Sequence, residues 1–100
     1  MSEYVLLSST ERYRSVVDNP NLRKVAEYEY YFFGKKRTTF HICEITNHEG
    51  ARITIQGVKE VFPDNSIPIK VFPKFSSPEE IEQEIYELDI DEDSKVVKVS

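Results

Sequence analysis

Hydrophobic and polar positions alternate through the middle of the chain with a period of two, the repeat of strands whose side chains project to opposite faces of a sheet. Three segments carry the pattern: Lys24 to Phe33, Arg37 to Thr46 and Ala51 to Phe62, all rich in β-branched and aromatic residues. They are separated by Gly34-Lys35-Lys36 and Asn47-His48-Glu49-Gly50, both short and both carrying turn residues. The pattern predicts an antiparallel meander. A three-residue loop with a bulge at Gly34 would set Tyr28, Tyr30 and Phe32 on the same side as Phe40, Ile42, Ile53 and Ile55, making that side the core. A two-residue turn at Lys35-Lys36 would instead reverse the first strand, because a slip of one residue exchanges the faces. With the bulge, the solvent side of the meander carries Glu27, Glu29, Tyr31, His41, Cys43, Ile45 and Arg52.

The flanking segments extend this picture. Glu3 to Ser8 reads as a strand inside the sheet, since Tyr4-Val5-Leu6-Leu7 is apolar at every position. Ser9 and Thr10 are good helix caps, and Tyr13, Val16 and Val17 at i, i+3 and i+4 form a short apolar stripe ending at Asn19-Pro20. After a turn at Pro63-Asp64-Asn65-Ser66, Ile67 to Phe72 reads as a strand that Pro68 confines to an edge or a bulge. The clearest helix start is Ser77-Pro78-Glu79-Glu80, with a serine cap, proline at the first position and two early carboxylates, followed by a stripe of Ile81, Ile85 and Leu88. Lys95 to Val99 reads as a final strand on a free edge, its lysines deterring further pairing. The expected fold is therefore α+β: an antiparallel meander of five or six strands, with a C-terminal amphipathic helix and a shorter N-terminal helix packed on one face. Residues 1 to 100 are expected to form one domain.

Composition sharpens the class. One hundred residues with 39% hydrophobic content can bury a single modest core, to which six Tyr and six Phe contribute. The lone cysteine, Cys43, has no internal disulfide partner, and Met1-Ser2-Glu3-Tyr4 has neither the basic start nor the apolar run of a secretory signal. No apolar stretch approaches the roughly 20 residues that cross a bilayer. A soluble cytoplasmic protein with no membrane contact is expected. The net charge is -5, with the excess acid concentrated between Glu79 and Asp93, where no Lys or Arg interrupts it. That block repels phosphate backbones and counts against general nucleic-acid binding, although its ordinary role is a solvated face.

Several residues could carry chemistry. His41 and Cys43 lie two apart on one strand and share a face, roughly 7 Å apart at the backbone. They are the minimal parts of a small thiol enzyme, yet no glycine-rich or helix-terminal oxyanion site lies beside them. A packed cysteine next to a histidine is the more ordinary arrangement. His41, Cys43, Glu44 and His48 could be offered as zinc ligands, but no ligand-pair spacing supports them and Glu44 points to the other face. Asp89, Asp91 and Asp93 reproduce the first spacings of a calcium loop, while Ser94 stands where glycine is needed and Ser100 where the bidentate glutamate belongs. No metal or cofactor is predicted.

Lys35, Lys36 and Arg37 beside Tyr30, Tyr31, Phe32 and Phe33 mix cations with aromatics as single-strand nucleic-acid binders do. Arg12, Arg14, Arg23 and Lys24 extend that patch if the first helix lies close. The leading expectation is a non-catalytic protein-interaction or regulatory module. It would use the sheet face of Tyr31, His41, Cys43, Ile45 and Arg52, an exposed strand edge, or the acidic helix, with a homodimer as the simplest form. Single-stranded nucleic-acid binding through Lys35 to Arg37 is the first alternative, and a Cys/His enzyme the second.

Overall fold

The computed structural model describes residues 2–57 and 64–100. Residues 58–62 of the third expected strand, and Pro63 of the turn after it, lie outside the described residues. The fold is α+β, with antiparallel strands and one helix, as the periodicity predicts. In chain order the elements are β1 (Glu3–Ser9), β2 (Tyr13–Ser15), β3 (Leu22–Phe32), β4 (Lys35–Ile45), β5 (Arg52–Gly57), β6 (Asn65–Pro68), a single 3-10 turn (Ile69–Val71), α1 (Pro78–Tyr86) and β7 (Ser94–Lys98). They divide into two sheets, one ordered β1-β4-β3-β7 and the other β2-β5-β6.

The meander therefore breaks after β4. Both edges of β4 are taken, by β3 on one side and on the other by β1, where Val5 stands opposite Cys43 and Leu7 opposite His41. No edge is left for β5, which pairs with β2 and β6 in the second sheet. The first strand is correspondingly an end strand rather than an inner one. Its outer edge is closed by a two-way backbone bridge between Tyr4 and Phe75, both bonds 2.9 Å, and by the Ser15 hydroxyl donating to the Ser8 carbonyl at 2.6 Å.

The expected N-terminal helix is β2. Isolated helices this short are marginal because nucleation fixes several residues for one hydrogen bond. Here the alternative is well supplied with partners. The Ser15 amide donates to Ser9 Oγ at 3.0 Å and the Val16 amide to the Thr54 carbonyl at 2.9 Å. Tyr13, Ser15 and Val17 fit a period of two as well as the three apolar positions fit a helix, and Val17 packs against the core formed with β5.

The β3–β4 turn is also tighter than expected. Phe33 and Gly34 form a two-residue turn with φ of 53° and 73°, and Phe32 stands opposite Lys35. A bulge then skips Arg37, since Tyr31 faces Lys36 but Tyr30 faces Thr38. This bulge restores parity, so Tyr28 lies opposite Phe40 and shares its face with Ile42, as the periodicity predicts. Ile53 and Ile55 do not join them, because they belong to the other sheet.

The four-stranded sheet is thus a middle layer. On one face Ala26, Tyr28, Ile42 and Val96 pack against Ile81 and Ile85 of α1; on the other Val5, Leu7, Cys43 and Ile45 pack against Ala51, Ile53 and Ile69. Each isoleucine sealed by α1 contributes roughly 2 kcal/mol of burial. The helix starts where its cap predicts, with Ser77 accepting from the Glu80 amide at 3.4 Å and Glu80 reaching back to the Ser76 amide at 3.0 Å. It stops at Tyr86, so Leu88 is exposed rather than part of the docked stripe. β6 lies at an edge, as Pro68 requires, and gives way at Ile69 to the 3-10 turn instead of continuing to Phe72. Among the described residues, no helix is long and apolar enough to cross a membrane.

Candidate functional site

His41, Cys43 and Ile45 do share a face of β4, but it is the face that the second sheet covers. Cys43 is fully buried, Ile45 is 5% exposed and His41 is 9% exposed at the margin of the covered area. Tyr31 lies farther along the open part of that face, its hydroxyl donating to Glu29 at 3.0 Å. Arg52 stands on β5 in the other sheet, donating to the hydroxyl and carbonyl of Ser66 at 2.8 Å each. The five residues do not make one accessible surface. Exposure of this face assumed a single sheet, and the second sheet removes it.

The same burial governs the thiol pair. Removal from water pushes the Cys43 thiol up to about 11, only weakly opposed by Lys24, so near neutral pH it is protonated and a poor nucleophile. Desolvation also lowers the His41 imidazole, against the pull of Glu27 and with the push of Lys24. His41 Nδ1 has no hydrogen-bond partner among the described residues and lies 3.6 Å from Glu27 Oε1. This pair lacks an activated nucleophile.

The four zinc candidates are drawn apart by other partners. Glu44 Oε1 takes two bonds from Arg23, at 2.9 and 2.6 Å, and His48 Nε2 lies 2.7 Å from Glu3 Oε1. The aspartates of the calcium-like segment bind backbone instead of converging on a point. Asp91 Oδ1 accepts from the amides of Asp93 and Ser94 at 2.9 and 3.1 Å, and Asp89 Oδ2 accepts from the Val96 amide at 3.3 Å. Among the described residues, no three His, Cys, Asp or Glu side chains are grouped to hold a metal ion.

What the fold does present is the tip of the β3–β4 hairpin. Phe33 is 66% exposed and adopts a positive φ, a conformation that costs a residue with a β-carbon about 1 kcal/mol or more. Two-residue hairpin turns favour Asn-Gly or Asp-Gly for this reason. The Phe33 ring meets Phe32 edge-on at 4.4 Å, and its amide donates to the Asp93 carbonyl at 2.8 Å, which fixes the tip to the loop before β7. Beside it lies a shallow pocket of about 360 Å³ lined by Tyr31, Gly34, Glu92, Asp93, Lys95 and Val97. Of the basic turn residues, Lys36 faces Glu29 at 3.4 Å, whereas Lys35 and Arg37 form no ion pair with a described residue. Phe33 had a readable signal, an aromatic before glycine between two alternating segments. Placing the turn one residue too late concealed it.

These features define an α+β fold whose four-stranded sheet is layered between a helix and a second sheet, with an exposed aromatic at its hairpin tip. No family model, curated protein or solved structure matches the chain.

Proposed function

We propose that this chain is a non-catalytic interaction module that docks a partner protein on the β3–β4 hairpin tip, with Phe33 as the anchor. The observation that carries the reading is that Phe33 is at once strained and exposed. A large apolar side chain there helps neither the backbone nor the core, and exposed aromatics ringed by polar groups are the usual energetic centres of protein interfaces. Lys35, Lys95, Glu92 and Asp93 supply a rim of both signs. The carboxylates of Glu92 and Asp93 so near the tip disfavour a phosphate backbone at this point. The buried thiol speaks against catalysis by Cys43.

The test is affinity capture from native extract with the unaltered protein and with Phe33→Gly, read beside urea unfolding and light scattering. Glycine relieves the strain at positive φ, so the variant is expected to keep its stability or gain up to about 1 kcal/mol. Its partner should nonetheless be lost, with affinity falling about thirtyfold as for a central aromatic anchor. If the partner is a second copy of the chain, the same variant lowers the scattering mass. Equal capture and equal mass for both proteins would overturn the reading.

A further inference from the structure

A second surface lies across β4 from the hairpin tip. Where β1 ends, β2 begins and the basic end of β4 passes them, a cleft of about 230 Å³ brings Arg14 beside Lys36 and Arg37. Two of these cations come from the turn segment and the third from β2, which stands where a helix was expected. Ser9, Thr10, Thr38 and Thr39 also line the cleft.

The hydrogen-bond inventory there is unbalanced. Ser9 Oγ accepts the Ser15 amide at 3.0 Å and Thr10 Oγ1 accepts the Arg12 amide at 3.1 Å. Each hydroxyl therefore keeps its own hydrogen to donate. Arg14 gives one Nη2 bond to Gln56 Oε1 at 2.8 Å, leaving most of its fork without a described partner. Lys36 has its Glu29 contact at 3.4 Å with half of its side chain in solvent. Arg37 is the residue skipped by the β3–β4 ladder and forms no ion pair with a described residue. Glu11 is the one carboxylate in the lining. With Glu29 counted against Lys36, three cations face two carboxylates among the described residues, a local charge of +1 in a protein whose net charge is -5.

Donors in excess, and positive charge held on two elements of different sheets, call for a compact multivalent anion. We infer that this cleft binds a phosphate monoester, carried as a phosphoserine or phosphothreonine on the partner protein. A peptide phosphate is favoured over a nucleic-acid strand because, among the described residues, no aromatic lines the cleft for a base to stack on. Glu11 would meet a peptide amide favourably but would repel the next phosphate of a strand. The inference rests on the reading above only in taking the partner to be a protein, and it uses a different surface from Phe33.

The experiment is an NMR titration of the full chain with a glycine-flanked phosphothreonine peptide, its unphosphorylated form, inorganic phosphate and a 5′-phosphorylated oligothymidine. The phosphopeptide and phosphate should shift the amides of Ser9, Thr10, Thr38 and Thr39. The shifts should disappear at ionic strength about 0.5 M. Arg37→Ala, an exposed residue outside the ladder, should weaken binding about tenfold, and Lys36→Ala similarly. Phe33→Gly should leave the shifts intact, so failure of the hairpin reading and failure of this one are separable. No shift at millimolar phosphopeptide, equal shifts from the unphosphorylated peptide, or tighter binding of the oligonucleotide would each overturn the inference.

Discussion

The amide of Val96 donates to a carboxylate oxygen of Asp89 at 3.3 Å, across the outer edge of β7. Val99 turns its amide the other way, to the Glu27 carbonyl of β3 at 2.8 Å, as the alternation of an antiparallel strand requires. Asp89 thus occupies a position that a further strand would take, and the Ser94 amide is closed in the same manner by Asp91. The acidic run that looks like a solvated block also seals a sheet edge. Asp89→Ala should open that edge and raise the mass measured by light scattering at high concentration. Asp89→Asn keeps an acceptor and should match the unaltered protein. Equal masses for all three would assign edge protection to Lys95 and Lys98 alone.

Tyr28 joins the middle sheet to the helix. Its ring is 1% exposed and meets Tyr86 edge-on at 5.8 Å, while its hydroxyl donates to Glu82, which also lies 4.0 Å from Lys98 Nζ. Burial, and then the bond to Glu82, raises the phenol well above the usual tyrosine range. Tyr28→Phe should cost about 1.5 kcal/mol, the lower end for a bond to a charged group because Glu82 is partly in solvent. Tyr28→Ala should cost about 3 to 5 kcal/mol through the cavity it leaves. Urea unfolding midpoints check both.

Cys43 should be inert in the native protein and react only when it opens. With its thiol raised to about 11, labelling near neutral pH is expected to follow the unfolding transition in denaturant and not the thiolate fraction of a free cysteine. A fast native reaction with a midpoint below pH 8.5 would contradict its burial.

His41 makes the fold sensitive to mild acid. Its folded-state pKa lies below the ordinary 6.5, chiefly through desolvation. Above pH 6.5 both folded and unfolded states hold it neutral. As pH falls through 6.5 the unfolded state takes up a proton that the folded state resists, so stability falls until the lower folded value is passed. His41→Leu, which replaces an imidazole whose Nδ1 has no described partner, should flatten the loss between pH 7 and 5 in urea titrations. An unchanged slope would assign the loss to other groups.

Much of this organisation was legible along the chain, and the exceptions share a cause. The alternation in β3 and β4, the capped start of α1 and the edge position of β7 are local properties, and each is found where expected. The segment around Tyr13 to Val17 was ambiguous because five residues satisfy both a helical and a strand spacing, and only Thr54 and Ser9 as partners decide between them. The buried state of Cys43 and Ile45 was half visible. β4 carries apolar residues on both parities at Phe40, Ile42, Cys43 and Ile45, and Tyr4-Val5-Leu6-Leu7 does the same, which is the mark of a strand covered on both faces. Phe33 and the cleft at Arg14, Lys36 and Arg37 needed the turn position and the path of β2.

By itself, then, the order of residues determined which segments extend, where the helix begins, and which side chains share a face within one hairpin, since these follow from backbone alternation and capping over a few neighbours. Tertiary structure alone decided that β4 spends its second edge on β1, that β5 leaves for another sheet, and that His41, Cys43 and Ile45 lie under it while Phe33 stays in solvent. Edge pairing between distant strands is a competition for the same backbone groups, and its outcome depends on the whole chain packing at once.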